Sequence, residues 1–233
     1  MSNKEFLLLP DNPGCYEELK DGNCYFVDKT EYLKTVFTSS TKVLLFTRPR
    51  RFGKTLLMTM FESFLKINPK EPGNITKHLN YFKDTKILED KKFCKKYMGQ
   101  FPVISITLKD VLGDSYEDAY FQLAGIVADK VNEFGFLKDS PALNDDDKDT
   151  FSKLSNKDFL IKSSAQTRYY ITKAIASLSL MLYKHFNKQV YIFIDEYDVP
   201  LAKAHAKGFH EKMVNLMSSF LGFLKDPQKD PLK

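Results

Sequence analysis

Two short stretches carry side chains whose types and spacing suit phosphate and metal chemistry. The first is Gly53-Lys54-Thr55, inside KVLLFTRPRRFGKTLLMTMFESF (Lys42 to Phe64). A glycine lets main-chain N–H groups come close to an anion, and the start of a helix favours negative charge there. Lys54 can reach the outer phosphates of a nucleoside triphosphate, and the Thr55 hydroxyl is a hard oxygen donor for Mg²⁺. The second stretch is Asp195-Glu196, which closes the apolar run Val190-Tyr191-Ile192-Phe193-Ile194. A carboxylate at Asp195 can hold Mg²⁺ through water, and Glu196 is placed to polarise an attacking water. Two charges at the end of a buried strand cost free energy without partners, and a metal supplies one.

The elements that position these residues follow from periodicity. Val43 to Phe46 is a short apolar run sized for one buried strand, with a core strand expected over 43–47. After the basic turn, Leu56, Leu57, Met60, Phe61 and Phe64 recur at helical spacing, so the order is strand, loop, helix with GKT at the helix start. That is the placement of a P-loop. The first glycine of G-x-x-x-x-G-K-[ST] falls on Arg48, so the loop reads Arg48, Pro49, Arg50, Arg51, Phe52, Gly53, Lys54, Thr55. The three arginines suit a phosphate clamp, fingers toward a neighbouring subunit, or a solvated basic turn. GKT also occurs on strand–helix turns without a ligand, and a strand can simply exit into an acidic turn. A strand ending in Asp-Glu is, however, the Walker B pattern of P-loop ATPases, and two such half-signals in one chain reinforce each other.

Residues 1–24 are turn-rich and read as an N-terminal arm or short hairpin. Tyr25-Phe26-Val27 reads as a brief strand. The helical pattern Tyr32, Leu33, Val36, Phe37 then gives Asp28 or Thr30 the part of an N-cap. The other reading of Asp28 is a contact to the base or ribose of a nucleotide. Residues 75–98 read as short helical pieces whose lysines (Lys91, Lys92, Lys95, Lys96) suit a solvated face, or an electrostatic footprint for nucleic acid without aromatic interleaving. Val103 to Leu108 marks a second buried strand. Ser115-x-x-Asp118 caps a long amphipathic helix to Phe134, and the acidic run 144–149 reads as a solvated loop or helix start. A further long helix is expected over 165–186. The third core strand is 190–195, and helical sequence runs over 201–224 after Pro200 as a stop.

Composition sets outer bounds. The chain of 233 residues has 43% apolar content and 20 Phe with 12 Tyr, enough for a sizeable aromatic core. No run of 18 apolar residues occurs, which argues against a membrane helix, and the N-terminal apolar run is cut by Pro10. A cytoplasmic address, or a nuclear one in a eukaryote, is therefore the default expectation. Cys15, Cys24 and Cys94 share no metal or disulfide spacing, and His205 and His210 lack a third ligand. A net charge of +5 suits a polyanion partner only weakly.

With both motifs in place, the chain resembles the AAA-ATPase-like family, whose members often carry a C-terminal PD-(D/E)XK nuclease-like domain. The pieces that carry the resemblance are FVDKTEYL (Phe26 to Leu33), VLLFTRPRRFGKTLLMTMFESFL (Val43 to Leu65), FPVISITLKD (Phe101 to Asp110) and VYIFIDEYDVPL (Val190 to Leu201). RPRRFGKT is itself similar among members, so Arg48 in place of glycine matches the family. The resemblance implies a three-layer α/β/α P-loop domain over 25–233 with a small, mostly parallel sheet. It also implies truncation after the Walker B region, since members continue into a further strand. ATP and Mg²⁺ are the implied ligands. Lys54 and Glu196 would be catalytic, Thr55 and Asp195 metal ligands, and Asp28 with residues 48–55 nucleotide contacts. Hydrolysis would drive a conformational change. The alternatives are a hydrolysis-deficient, nucleotide-dependent interaction module, or a nucleic-acid-associated regulatory domain of a nuclease-fused ATPase. Expected partners are the nucleotide, further copies in a homo-oligomer, and nucleic acid through an absent C-terminal domain, with no membrane.

Overall fold

Apolar periodicity leaves each helix with one face that must be covered, and the chain covers them in two units, Met1–Phe101 and Pro102–Lys233. The computed structural model describes residues 14–47, 49 and 52–225. Among them are eleven helices and one two-stranded parallel sheet, an α/β architecture.

The first unit contains α1 (Tyr16–Asp21), α2 (Tyr32–Phe37), α3 (Lys54–Leu65), α4 (Thr76–Tyr81) and α5 (Lys91–Tyr97). Phe and Tyr rings fill its interior. Tyr16 meets Phe82 at 5.0 Å, Phe82 meets Phe64 at 5.1 Å, Phe64 stacks on Phe93 at 5.8 Å, and Phe93 meets Tyr97 at 4.6 Å. Buried tyrosines need partners for their hydroxyls. Tyr16 donates to the carbonyl of Tyr81 at 2.9 Å and Tyr97 to that of Phe37 at 2.9 Å. The stretch expected to be an arm or hairpin thus contains a helix, α1, that packs on α3 with Tyr16 and Leu19 buried. An amphipathic turn with a ring to bury is held by the core rather than by solvent.

Two expected strands are absent from this unit. Residues 25–27 and 43–47 belong to no strand among the described residues. Val43, Leu44, Leu45 and Phe46 are between 39 and 65% exposed. An apolar run becomes a strand only where another strand offers its unpaired N–H and C=O groups. The described residues of this unit contain no strand, only isolated pairing such as that of Lys66 with Phe101. Phe46 instead leans on Phe61 of α3 at 6.1 Å.

The second unit starts with β1 (Val103–Thr107) and continues through α6 (Tyr116–Asn132), α7 (Asp145–Ser155), α8 (Lys157–Leu160) and α9 (Ala165–Phe186). It then returns to β2 (Tyr191–Asp195) and closes with α10 (Val199–Lys207) and α11 (His210–Phe220). Parallel neighbours cannot be joined by a hairpin, and the helices α6 to α9 form the crossover. The register pairs Val103 with Tyr191 and Thr107 with Asp195. The caps follow the sequence. Ser115 and Asp118 form a reciprocal capping box on α6, and Asn144 with Asp147 forms another on α7, so the acidic run is a helix start. Its first-turn carboxylates complement the helix dipole. Lys184 adds an ion pair to Asp147 at 2.6 Å. Asn187, in the left-handed region, ends α9 where the strand must begin. Pro200 does not stop a helix as expected: it lies in the first turn of α10, where a missing N–H costs nothing.

Candidate functional site

Gly53 is the N-cap of the 12-residue α3, with φ +71° and ψ +30°. As a glycine, the N-cap offers no side chain to the helix's first N–H groups. Among the described residues, a Cβ built on Gly53 would meet no heavy atom within 4 Å. The first N–H groups of a helix lack intrahelical acceptors, and together with the dipole they favour an anion in front of the first turn. Lys54 is half-buried and Thr55 exposed, whereas Leu57, Met60 and Phe61 anchor the helix in the core. Pro49 and Phe52 are exposed. Arg48, Arg50 and Arg51 lie outside the described residues.

Asp28 is placed differently from the expected helix cap. The N-cap of α2 is Glu31, with no side-chain cap bond. Asp28 Oδ1 instead accepts from the N–H of Thr30 at 2.8 Å, and Oδ2 from the N–H of Lys86 at 2.8 Å. Thr30, fully buried, accepts from the N–H of Ile87 at 3.2 Å. The pair pins the loop before α2 to the 3-10 turn Lys86–Glu89. Burial alone would raise the Asp28 carboxyl, but the Lys86 and Thr30 donors and the Lys86 charge hold it below the ordinary carboxylate value.

In the second unit, β2 delivers Asp195 to its carboxyl end with 9% exposure. Its backbone carbonyl accepts from Leu108 N–H at 3.0 Å and its Oδ1 from Glu196 N–H at 3.1 Å. Glu196 then takes φ +53°. The other four described non-glycine residues with positive φ are Asn23, Asp84, Ser163 and Asn187, all short and polar. Glu196 is the one long side chain in that group, and strain of this kind concentrates at functional sites. A turn closed by Val199 N–H to Glu196 C=O at 3.1 Å holds the geometry. Thr107 is the register partner of Asp195, so its hydroxyl leaves the sheet on the same face. Sequence reading missed Thr107, because register between strands separated by the whole crossover leaves no local signal.

The structure thus brings Asp195, Glu196 and Thr107 together at one end of the sheet, and Gly53, Lys54 and Thr55 together at the start of α3. Among the described residues no group of three or more His, Cys, Asp or Glu side chains forms a metal cluster, and the three cysteines are free. His205 and His210 are exposed, with rings 5.4 Å apart.

A parallel strand pair with helical crossovers, a buried carboxylate at a strand's carboxyl end and a glycine-opened helix start are compatible with a P-loop-like nucleotide-binding domain. The chain belongs to the AAA-ATPase-like family: the family model described as predicted AAA-ATPase matches residues 14–233. Membership points to nucleotide use and ATPase activity. No curated protein and no solved structure matches the chain. No helix among the described residues is long and apolar enough to cross a membrane.

Proposed function

We propose that this chain binds ATP with Mg²⁺ and hydrolyses it. The observation that carries the reading is the left-handed Gly53 at the N-cap of the 12-residue α3, with no described atom within 4 Å of the place of its Cβ. In this reading the main-chain N–H groups there receive the phosphates, and Lys54 neutralises their charge. The residue types expected to hold magnesium suit it: Thr55 offers a hydroxyl and Asp195 a carboxylate, both hard oxygen donors. Bound Mg²⁺ would supply charge neutralisation on the phosphate oxygens. Glu196 orients the attacking water and accepts its proton, and its strained backbone fixes the carboxylate for that task. Arg50 and Arg51 are further phosphate contacts in this reading.

Calorimetric titration of MgATP into the wild-type chain and into Lys54→Ala tests it. Wild-type binding that is lost in the variant supports the phosphate assignment; equal binding by both proteins refutes it. Turnover by wild type with none from Glu196→Gln, at unchanged ATP affinity, then supports the assignment of the base. Loss of affinity in that variant would move Glu196 from proton transfer to ligand binding.

A further inference from the structure

Three helices of the second unit, distant in sequence, frame an open groove of about 530 Å³ that none of the preceding assignments uses. Tyr116 comes from the start of α6, Arg168 and Tyr169 from the first turns of α9, and Lys212 and Asn215 from α11. Lys212 lies 5.7 Å from the centre of the Tyr116 ring, a cation–π placement that holds the ammonium at the wall. Neither Arg168 nor Lys212 forms an ion pair among the described residues. Glu117 is the single carboxylate in the lining, so the two cations leave the groove net positive.

The rings decide which anion fits. Tyr169 is 61% exposed, an unusual place for a large aromatic ring. It sits 5.8 Å from Tyr170 with an interplanar angle of 80°, a contact that limits its rotation. An acidic peptide would use the cations and leave that ring in water. A nucleotide uses both, since every base has a face to stack and every phosphate a charge to neutralise.

We propose that this groove binds one nucleotide unit of a single strand, its base stacked on Tyr169 and its phosphate held by Arg168 and Lys212. The groove shares no residue with the Gly53 to Thr55 segment, and it can be right or wrong independently of the ATPase reading.

The test is fluorescence anisotropy of a labelled oligothymidylate on the full chain, with no free nucleotide added and across a salt series. Each phosphate contact on a single strand contributes a slope of about −0.7 in log K against log salt. Arg168→Ala and Lys212→Ala are each expected to lower the slope by about 0.7. Tyr169→Ala is expected to weaken binding by roughly 5- to 100-fold with the slope unchanged, and Tyr169→Phe to restore it. Lys54→Ala should abolish MgATP binding and leave the oligonucleotide affinity as it is, which separates this site from the nucleotide site of the ATPase reading. Unlabelled strand is expected to displace the label, and equal displacement by thymidine monophosphate at the same phosphate concentration would overturn the single strand as the ligand. The proposal is overturned if the three alanine variants bind like wild type. It is equally overturned if polyglutamate of matched charge displaces the strand as well as unlabelled oligonucleotide does. Melting temperatures of the variants, all at surface side chains, confirm that a loss is not unfolding.

Discussion

Replacing Gly53 by alanine separates a ligand cradle from an ordinary helix-end glycine. The residue sits at φ +71°, where an L side chain costs roughly 1–2 kcal/mol. A new Cβ meets none of the described residues within 4 Å, so no clash with them adds to that cost. The stiffer unfolded chain offsets about 0.5 kcal/mol of it. The net loss is then about 0.5–1.5 kcal/mol, and for a unit near 100 residues each kcal/mol lowers the melting temperature by about 4–8 °C. The same methyl group would stand in the space proposed for the phosphates, and MgATP affinity should fall by about tenfold or more, or at least 1.4 kcal/mol. Gly73 provides the control. It belongs to the same unit, has φ +92° and is equally unobstructed, but lies in the turn closed by Asn74 N–H to Glu71 C=O. Gly73→Ala should cost similar stability and leave affinity unchanged. Thermal melts and calorimetric titration of both variants give the two numbers. Gly53→Ala with wild-type MgATP affinity would refute the reasoning, because that space would then not be where the phosphates bind.

Glu196→Asn should end turnover and raise stability by about 0.5–1 kcal/mol, since asparagine tolerates the left-handed region that glutamate occupies at φ +53°; a destabilised variant in urea titration would contradict strain at this position. His78 makes the first unit acid-sensitive. Its Nε2 lies 2.9 Å from the Lys66 carbonyl while Nδ1 is buried without a partner, and burial pushes its pKa below the ordinary value, with Glu17 and Lys77 acting in opposite senses. The unfolded chain therefore binds this proton more readily than the folded one. The stability His78 contributes is complete above about pH 6.5 and is lost as pH falls through the lowered folded value. Melts from pH 8 to 5 should show a decline that His78→Gln flattens; equal slopes would remove His78 as the cause. Tyr120→Phe removes a buried hydroxyl that lies 3.1 Å from both the Leu160 carbonyl and the Thr167 hydroxyl, and should cost about 1–3 kcal/mol by urea denaturation.

How far the sequence reached depends on whether a signal is local. The long helix over 165–186 was legible because Ile171, Ala174, Ile175, Leu178 and Leu182 recur on one face, and all five are buried as read, whereas its cap, Ser164, is seen only in the structure. The strands at 103–107 and 191–195 were legible because their apolar runs pair with each other. The run at 43–47 carries the same local signal and forms no strand, since an apolar run states a demand for burial without naming the partner that meets it. Asp28 shows the same limit for polar groups. Its position before a helix suggested a cap, but its second partner is the N–H of Lys86, on a turn that sequence distance conceals. Glu196 is the informative case. Its chemistry was legible from the strand before it, whereas its left-handed backbone was not, because glutamate has no propensity for that region. A residue whose local preference is overridden at a position already marked for chemistry satisfies two independent criteria for function. The cost of holding it there, of order 1 kcal/mol or more, has to be met by the turn that binds its carbonyl and the carboxylate that binds its N–H. Those two contacts tie the Glu196 backbone to Asp195 and α10, so the proposed metal ligand and the proposed base are set by one piece of backbone geometry.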